Sequence, residues 1–227
     1  MKLTGFVLGI RINKSFFIED KLGAIIDDIL YSENSELNNR LFNEISSNAT
    51  GKVVYNAHTG NKLTVSAQDI IFEYNIEKDF DIEFDKYLKN FNLIILKKVF
   101  GDYQVKNIHR FGFVIKAELS KSDTLIGDIS KVIKSHYSGD EDSFTLRFNM
   151  TTKKPITIKG IITEDYDNEI ITYDKVNQKS PTYFSADYQK YFKPELALIK
   201  DATIPFDTFC KNSLQSFKQK YLGEEKR

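Results

Sequence analysis

Between Leu3 and Ile12 the chain alternates, with Phe6, Leu8, Ile10 and Ile12 on one side and Gly5, Val7, Gly9 and Arg11 on the other. A period of two marks a strand buried on one face. Ser15 stands where a helix N-cap belongs, and Ile18, Leu22, Ile25, Ile26 and Ile29 then recur at spacings of three and four, the stripe of an amphipathic helix. After a polar loop from Ser32 to Asn39, Lys52 to Asn56 and Leu63 to Ser66 read as strands joined through His58-Thr59-Gly60-Asn61, and Ile70 to Asn75 as a third strand. A second helix is predicted from Phe80 to Phe100, with Phe84, Leu88, Phe91 and Ile95 inward and Gly101 as its stop.

The order then restarts. Val105 to Leu119 is a long strand with Phe111, Phe113 and Ile115 on one face, and a helix carrying Leu125, Ile129, Val132 and Ile133 follows a cap at Ser122 or Asp123. Ser143 to Met150 reads as a strand, and Ile156 to Thr163 with Ile170 to Val176 as a hairpin turning at Asp167-Asn168. The aromatic-rich stretch from Pro181 to Phe192 has no clear period, and a last helix runs from Pro205 to Leu222. Both halves therefore read strand, helix, three strands, helix. The expectation is an α+β protein of two β-α-β-β-β-α units, residues 1–101 and 102–227, with mainly antiparallel sheets covered by helices on one face. Whether they form one continuous sheet is open at this point.

Composition narrows the function classes. Lys plus Arg equals Asp plus Glu over the 227 residues, so the global basic field of a nucleic-acid coat protein is missing, though a local basic patch is not excluded. The N-terminal apolar run is broken by Gly5, Gly9 and Arg11, and no apolar stretch is long enough for a membrane helix. The lone Cys210 fits a reducing compartment, so a cytoplasmic protein is expected. One Cys and three scattered His (His58, His109, His136) give no zinc framework. The glycines never cluster, so no phosphate loop, dinucleotide fingerprint or nucleophile elbow is present, and neither a cofactor nor a catalytic residue is predicted.

Three weaker constellations remain. Glu164-Asp165-Tyr166-Asp167-Asn168-Glu169 is dense enough in carboxylates to attract a hard cation, but Asp and Asn also suit a solvated hairpin turn, and no metal site is assigned. Lys106, Arg110 and Lys116, with Arg147 beyond, place cations on the strand face opposite Phe111 and Phe113, an arrangement suited to RNA or single-stranded DNA. Tyr183, Phe184, Tyr188 and Tyr191 crowd a short segment, as aromatic hot spots of an interface do.

The strand core Arg110-Phe111-Gly112-Phe113, within this order of elements, resembles a sporadically distributed family of uncharacterised prokaryotic proteins. That family continues with polar Arg, Tyr and Asn where this chain has Val114, Ile115 and Ala117, so roles of those residues do not carry over. The resemblance implies a fold and, through patchy distribution, a mobile or defence-linked setting. It implies no activity. The leading expectation is a non-catalytic binding protein that engages a protein partner or a second copy of itself. The alternatives are sheet-mediated binding of RNA or single-stranded DNA, and a metal-dependent hydrolase built on Asp165, Asp167 and a histidine.

Overall fold

The computed structural model describes residues 1–33, 36–38, 40–48, 51–102, 107–120, 122–136, 143–158, 161–197 and 203–223. Nine strands form one antiparallel sheet: β1 (Lys2–Ile12), β2 (Glu44–Asn48), β3 (Gly51–Tyr55), β4 (Lys62–Ser66), β5 (Asp69–Asn75), β6 (Asn107–Leu119), β7 (Phe144–Ile158), β8 (Ile161–Lys175) and β9 (Thr182–Ala197). Their order across the sheet is β2-β3-β4-β5-β1-β6-β9-β8-β7. In each half the last strand returns beside the first, β5 to β1 and β9 to β6, and the two first strands pair with each other at the centre. The predicted units thus share one continuous sheet in an α+β fold.

The helices are α1 (Phe16–Asp20), α2 (Leu22–Leu30), α3 (Phe80–Phe91), α4 (Phe100–Asp102), α5 (Thr124–His136) and α6 (Thr203–Phe217). Ser15 caps α1 as the spacing predicts, its Oγ accepting the Ile18 N–H at 3.2 Å, and Asp79 caps α3 in the same way. Between α3 and α4 the chain winds as a π-helix from Asn92 to Val99; after α6 another such turn closes on Gly223 in the left-handed conformation. The apolar stripes of α2 (Ile25, Ile26, Ile29), α3 (Phe84, Leu88, Phe91) and α6 (Phe206, Cys210, Phe217) lie on the face of the sheet that carries Phe6, Leu8, Phe72, Phe111, Phe113 and Ile115. This aromatic layer is the core, and burying side chains of this size supplies roughly 1.5–3 kcal/mol each.

Three sequence expectations need correction. Glu44–Asn48 is a strand, although Ser46, Ser47 and Asn48 carry no apolar alternation; it forms the edge beyond β3. The hairpin of the second half does not turn at Asp167-Asn168. β7 and β8 run paired from Phe144↔Lys175 to Ile158↔Ile161, and Asp167 and Asn168 lie mid-strand. Their poor strand propensity is offset by partners: Asp167 is held by Lys154 at 2.5 Å, Asn168 accepts from Thr151, and Tyr166 stacks on Tyr191. Finally, the aromatic-rich stretch is not irregular but the inner strand β9. It looked aperiodic because its two faces carry aromatics in turn, Phe184 and Tyr188 on one and Tyr183 and Tyr191 on the other.

Candidate functional site

All the helices that touch the sheet lie on one side, which leaves the other face open among the described residues. Cross-strand partners share a face, so the ladder assigns its occupants. Arg110 on β6 is opposite Tyr191 on β9, which is opposite Tyr166 on β8; Gly112 is opposite Gln189, Val114 opposite Asp187 and Lys116 opposite Ser185. Thr172 pairs with both Ser185 and Arg147, placing Arg147 on the same face. Arg110, Lys116 and Arg147 therefore share the open face, as expected, whereas Lys106 falls outside the described residues.

Their environments differ. The Arg110 guanidinium sits 5.5 Å from the Tyr191 ring centre and donates to its hydroxyl at 3.2 Å, while Tyr166 stacks on Tyr191 at 4.3 Å with the planes 11° apart. Tyr191 in turn donates to Gln189 Oε1 at 2.9 Å, and Gln189 Nε2 donates to Asp187 at 2.6 Å. The chain of contacts ends on a carboxylate that burial pushes above the ordinary Asp range, even though the Gln189 hydrogen bond and the charges of Arg110 and Arg147 pull the other way. Lys116 is turned elsewhere, to Glu73, which Lys62 also reaches at 3.0 Å; together they outweigh burial and hold the Glu73 carboxyl below its usual range. Arg11 is committed to Asp69 through two hydrogen bonds of 2.8 and 3.0 Å.

At the middle of this face Gly9 is opposite Gly112. A Cβ added to Gly9 would find its nearest neighbours at 3.9 Å, and one added to Gly112 its nearest at 3.7 Å, both ordinary contact distances. Neither close packing nor backbone conformation requires glycine here. The pair leaves a gap in the side-chain carpet, bordered by Ile71, Gln189, Arg110 and Val114. Sequence reasoning missed Gly9, Tyr166, Asp187 and Gln189. The readable signal was the recurrence of an apolar-Gly-apolar core, Leu8-Gly9-Ile10 and Phe111-Gly112-Phe113, at the centre of each long strand.

The proposed partner-binding aromatics are divided. Tyr183 is 42% exposed and shares the open face with Tyr191, but Phe184 and Tyr188 point to the helical side and are buried. Asp167 also faces the helices, and among the described residues no three His, Cys, Asp or Glu side chains are placed to hold a metal ion. The Cys210 thiol is fully buried, which pushes its pKa well up and leaves no nucleophile. Another depression, of about 830 Å³, lies beside α3, where Lys86 and Glu36 pair at 3.0 Å.

The buried Asp187 yields a pH prediction. A carboxyl whose folded pKa is raised disfavours the fold as pH climbs from the unfolded value, roughly 3.9, through the folded one. Asp187→Asn is therefore expected to unfold at higher temperature than the wild type at neutral pH, with the two melting together in strong acid. Equal melting temperatures at neutral pH would contradict this.

These features describe an α+β protein with one face of its sheet uncovered among the described residues. No protein-family model matches the chain, and no curated protein matches it, so the reading of function rests on this geometry.

Proposed function

We infer that the protein is a non-catalytic binding protein that engages a protein partner through the open face of its sheet, centred on the gap between Gly9 and Gly112. The glycine pair carries this reading. Glycine inside a strand weakens it by roughly 0.5–1 kcal/mol relative to Ala, and where neither sterics nor dihedrals ask for it, it marks a place that another chain or ligand approaches closely. Arg110 and Tyr191 border the gap and belong to the residue types that dominate interface energetics. The cations of this face favour a protein over a polyanion, because Arg11 is paired with Asp69 and both Lys62 and Lys116 are held by Glu73, which leaves fewer of them free to meet phosphates. The Arg110-Phe111-Gly112-Phe113 motif noted in the sequence lies at this gap.

The test is capture of the partner from cells that carry the gene, followed by titration of the purified pair, with light scattering to detect a second copy as partner. Gly9→Val, which fills the gap with a residue suited to strands, and Arg110→Glu are each expected to weaken binding by about tenfold or more. Lys131→Glu, on exposed α5, should leave it unchanged. Undiminished affinity in both open-face variants would sink the reading.

One observation supports a second reading, binding of RNA or single-stranded DNA: the Arg110–Tyr191–Tyr166 stack, with Arg147 on the same face, has the composition of a base-stacking platform. It requires anisotropy of a labelled single strand to fall steeply between about 50 and 200 mM salt. A flat salt response leaves the protein partner as the sole occupant.

A further inference from the structure

The helical side of the sheet holds a cleft of about 810 Å³ between α6 and strands β7 to β9, within the size range of small-molecule sites. Further along the same face, β8 and β9 send Ile171, Tyr173, Phe184 and Ala186 into the core. At the cleft the same inward positions become Asp167, Glu169 and Lys190. Charges at positions that alternation reserves for apolar side chains break the pattern that folds the sheet, and such local breaks concentrate at functional sites.

Tyr188 lies between these residues, 8% exposed, and its hydroxyl makes no hydrogen bond of acceptable geometry. Burial raises the Tyr188 pKa, and the neighbouring Glu169 adds to it through its charge and a poorly aligned hydrogen bond, while Glu169 Oε1 accepts from Lys220 at 2.9 Å and Tyr221 at 3.3 Å. Tyr188 thus presents a protonated, buried donor whose nearest acceptor is a carboxylate shared with two other donors, and a donor met so poorly costs about 1–3 kcal/mol. The other wall is aromatic: Phe111 packs edge-on against Phe192 at 4.9 Å and near Phe209 at 5.9 Å. From α6 a stripe of small polar side chains, Thr208, Asn212 and Ser216 at every fourth position, faces the same space and leaves it unfilled. At the rim Lys154 is bound to Asp167, whereas Lys190 reaches that carboxylate only at 4.0 Å and stands 5.8 Å from the Phe192 ring centre. Asp167 thus answers Lys154 more closely than Lys190, and the Lys190 ammonium stands at the rim beside an aromatic wall.

We propose that this cleft binds a small planar-ring anion, its ring against Phe192 and Phe209, its acidic group at Lys190 and an acceptor atom at the Tyr188 hydroxyl. Both parts of the ligand are dictated by what the cleft leaves unsatisfied. A neutral apolar molecule would give the Tyr188 hydroxyl and the Lys190 ammonium no closer partner than they have, and a simple inorganic anion would leave Phe192 and Phe209 uncovered.

Anilinonaphthalenesulfonate, an aromatic anion with a planar naphthalene ring whose fluorescence rises on leaving water, is the probe, titrated into the full chain. Saturable binding is expected, weakened about tenfold in Lys190→Gln and abolished in Ser213→Phe, which places a ring in the cleft. Adenosine monophosphate and benzoate carry the same chemistry with a phosphate and a carboxylate; displacement of the dye by either supports the site and identifies the acid. Lys190 is 31% exposed, so Lys190→Gln keeps the test decisive if Ser213→Phe fails to melt cooperatively. Absence of saturable binding, undiminished binding in Lys190→Gln, or displacement by neither competitor overturns the proposal.

Discussion

Phe6→Ala is expected to destabilise the protein by about 3–5 kcal/mol, a large part of the roughly 5–15 kcal/mol that holds a typical domain together. Phe6 is fully buried on β1, and its ring meets Phe72 and Tyr74 from β5 and Phe80 and Phe84 from α3, with centroids 5.5 to 6.3 Å away. One side chain therefore joins the centre of the sheet to the helix layer. The cavity it leaves cannot collapse, because β1 is pinned on both edges by its ladders to β5 and β6. Urea denaturation should show the midpoint falling by about 1 M or more with the slope unchanged. A loss under about 2 kcal/mol would mean that α3 does not pack where the aromatic contacts place it. Phe148→Ala supplies the contrast: on edge strand β7 and 46% exposed, its ring has far less to lose.

Gly5→Ala is expected to cost about 2–3 kcal/mol although it adds a single methyl group. The new Cβ would lie 2.6 Å from the Tyr74 carbonyl oxygen and 3.3 Å from Asn75 Oδ1. A backbone carbonyl cannot rotate away, and Asn75 is itself clamped. Its Nδ2 donates to Thr59 O at 2.7 Å and its N–H to Asn61 Oδ1 at 2.9 Å, while Gly60, with φ at 74°, closes over it from the other side. Relief must come from prising β1 off β5. Gly9→Ala, four residues along the same strand, meets nothing closer than 3.9 Å and is expected to be neutral or stabilising by up to roughly 1 kcal/mol. Thermal melts of the two variants side by side separate a glycine kept by packing from one that packing does not need; equal losses would refute that distinction.

The contrast between those glycines also marks how far the sequence could be read. Alternation in Leu3 to Ile12 and the stripe from Ile18 to Ile29 gave β1 and the helical run after it directly, though not its break at Lys21 into α1 and α2, because burial on one face leaves a period that survives any neighbour. β2 and the middle of β8 were illegible for the opposite reason: their strand state comes from partners supplied elsewhere in the chain, Tyr55 for Glu44 and Lys154 for Asp167. The same holds for the candidate site. Parity placed Arg110 and Lys116 on the face opposite Phe111, but only the ladder reveals that Glu73 takes up Lys116 while Tyr191 supports Arg110. Tyr183 and Tyr188 looked like one cluster until the pleat sent them to opposite sides.

The central pairing of β1 with β6 has a consequence for how the protein assembles. Gly9 and Gly112 are neighbours in space yet roughly one hundred residues apart along the chain. As synthesis proceeds, β1 can close with β5 early, but its other edge stays bare until Asn107–Leu119 has been made, and a bare edge invites pairing with other chains. Closure of the sheet is then a non-local event, which slows folding. Refolding is therefore expected to be limited by the seam between the halves rather than by either half, and the seam is where a chaperone would have most to protect.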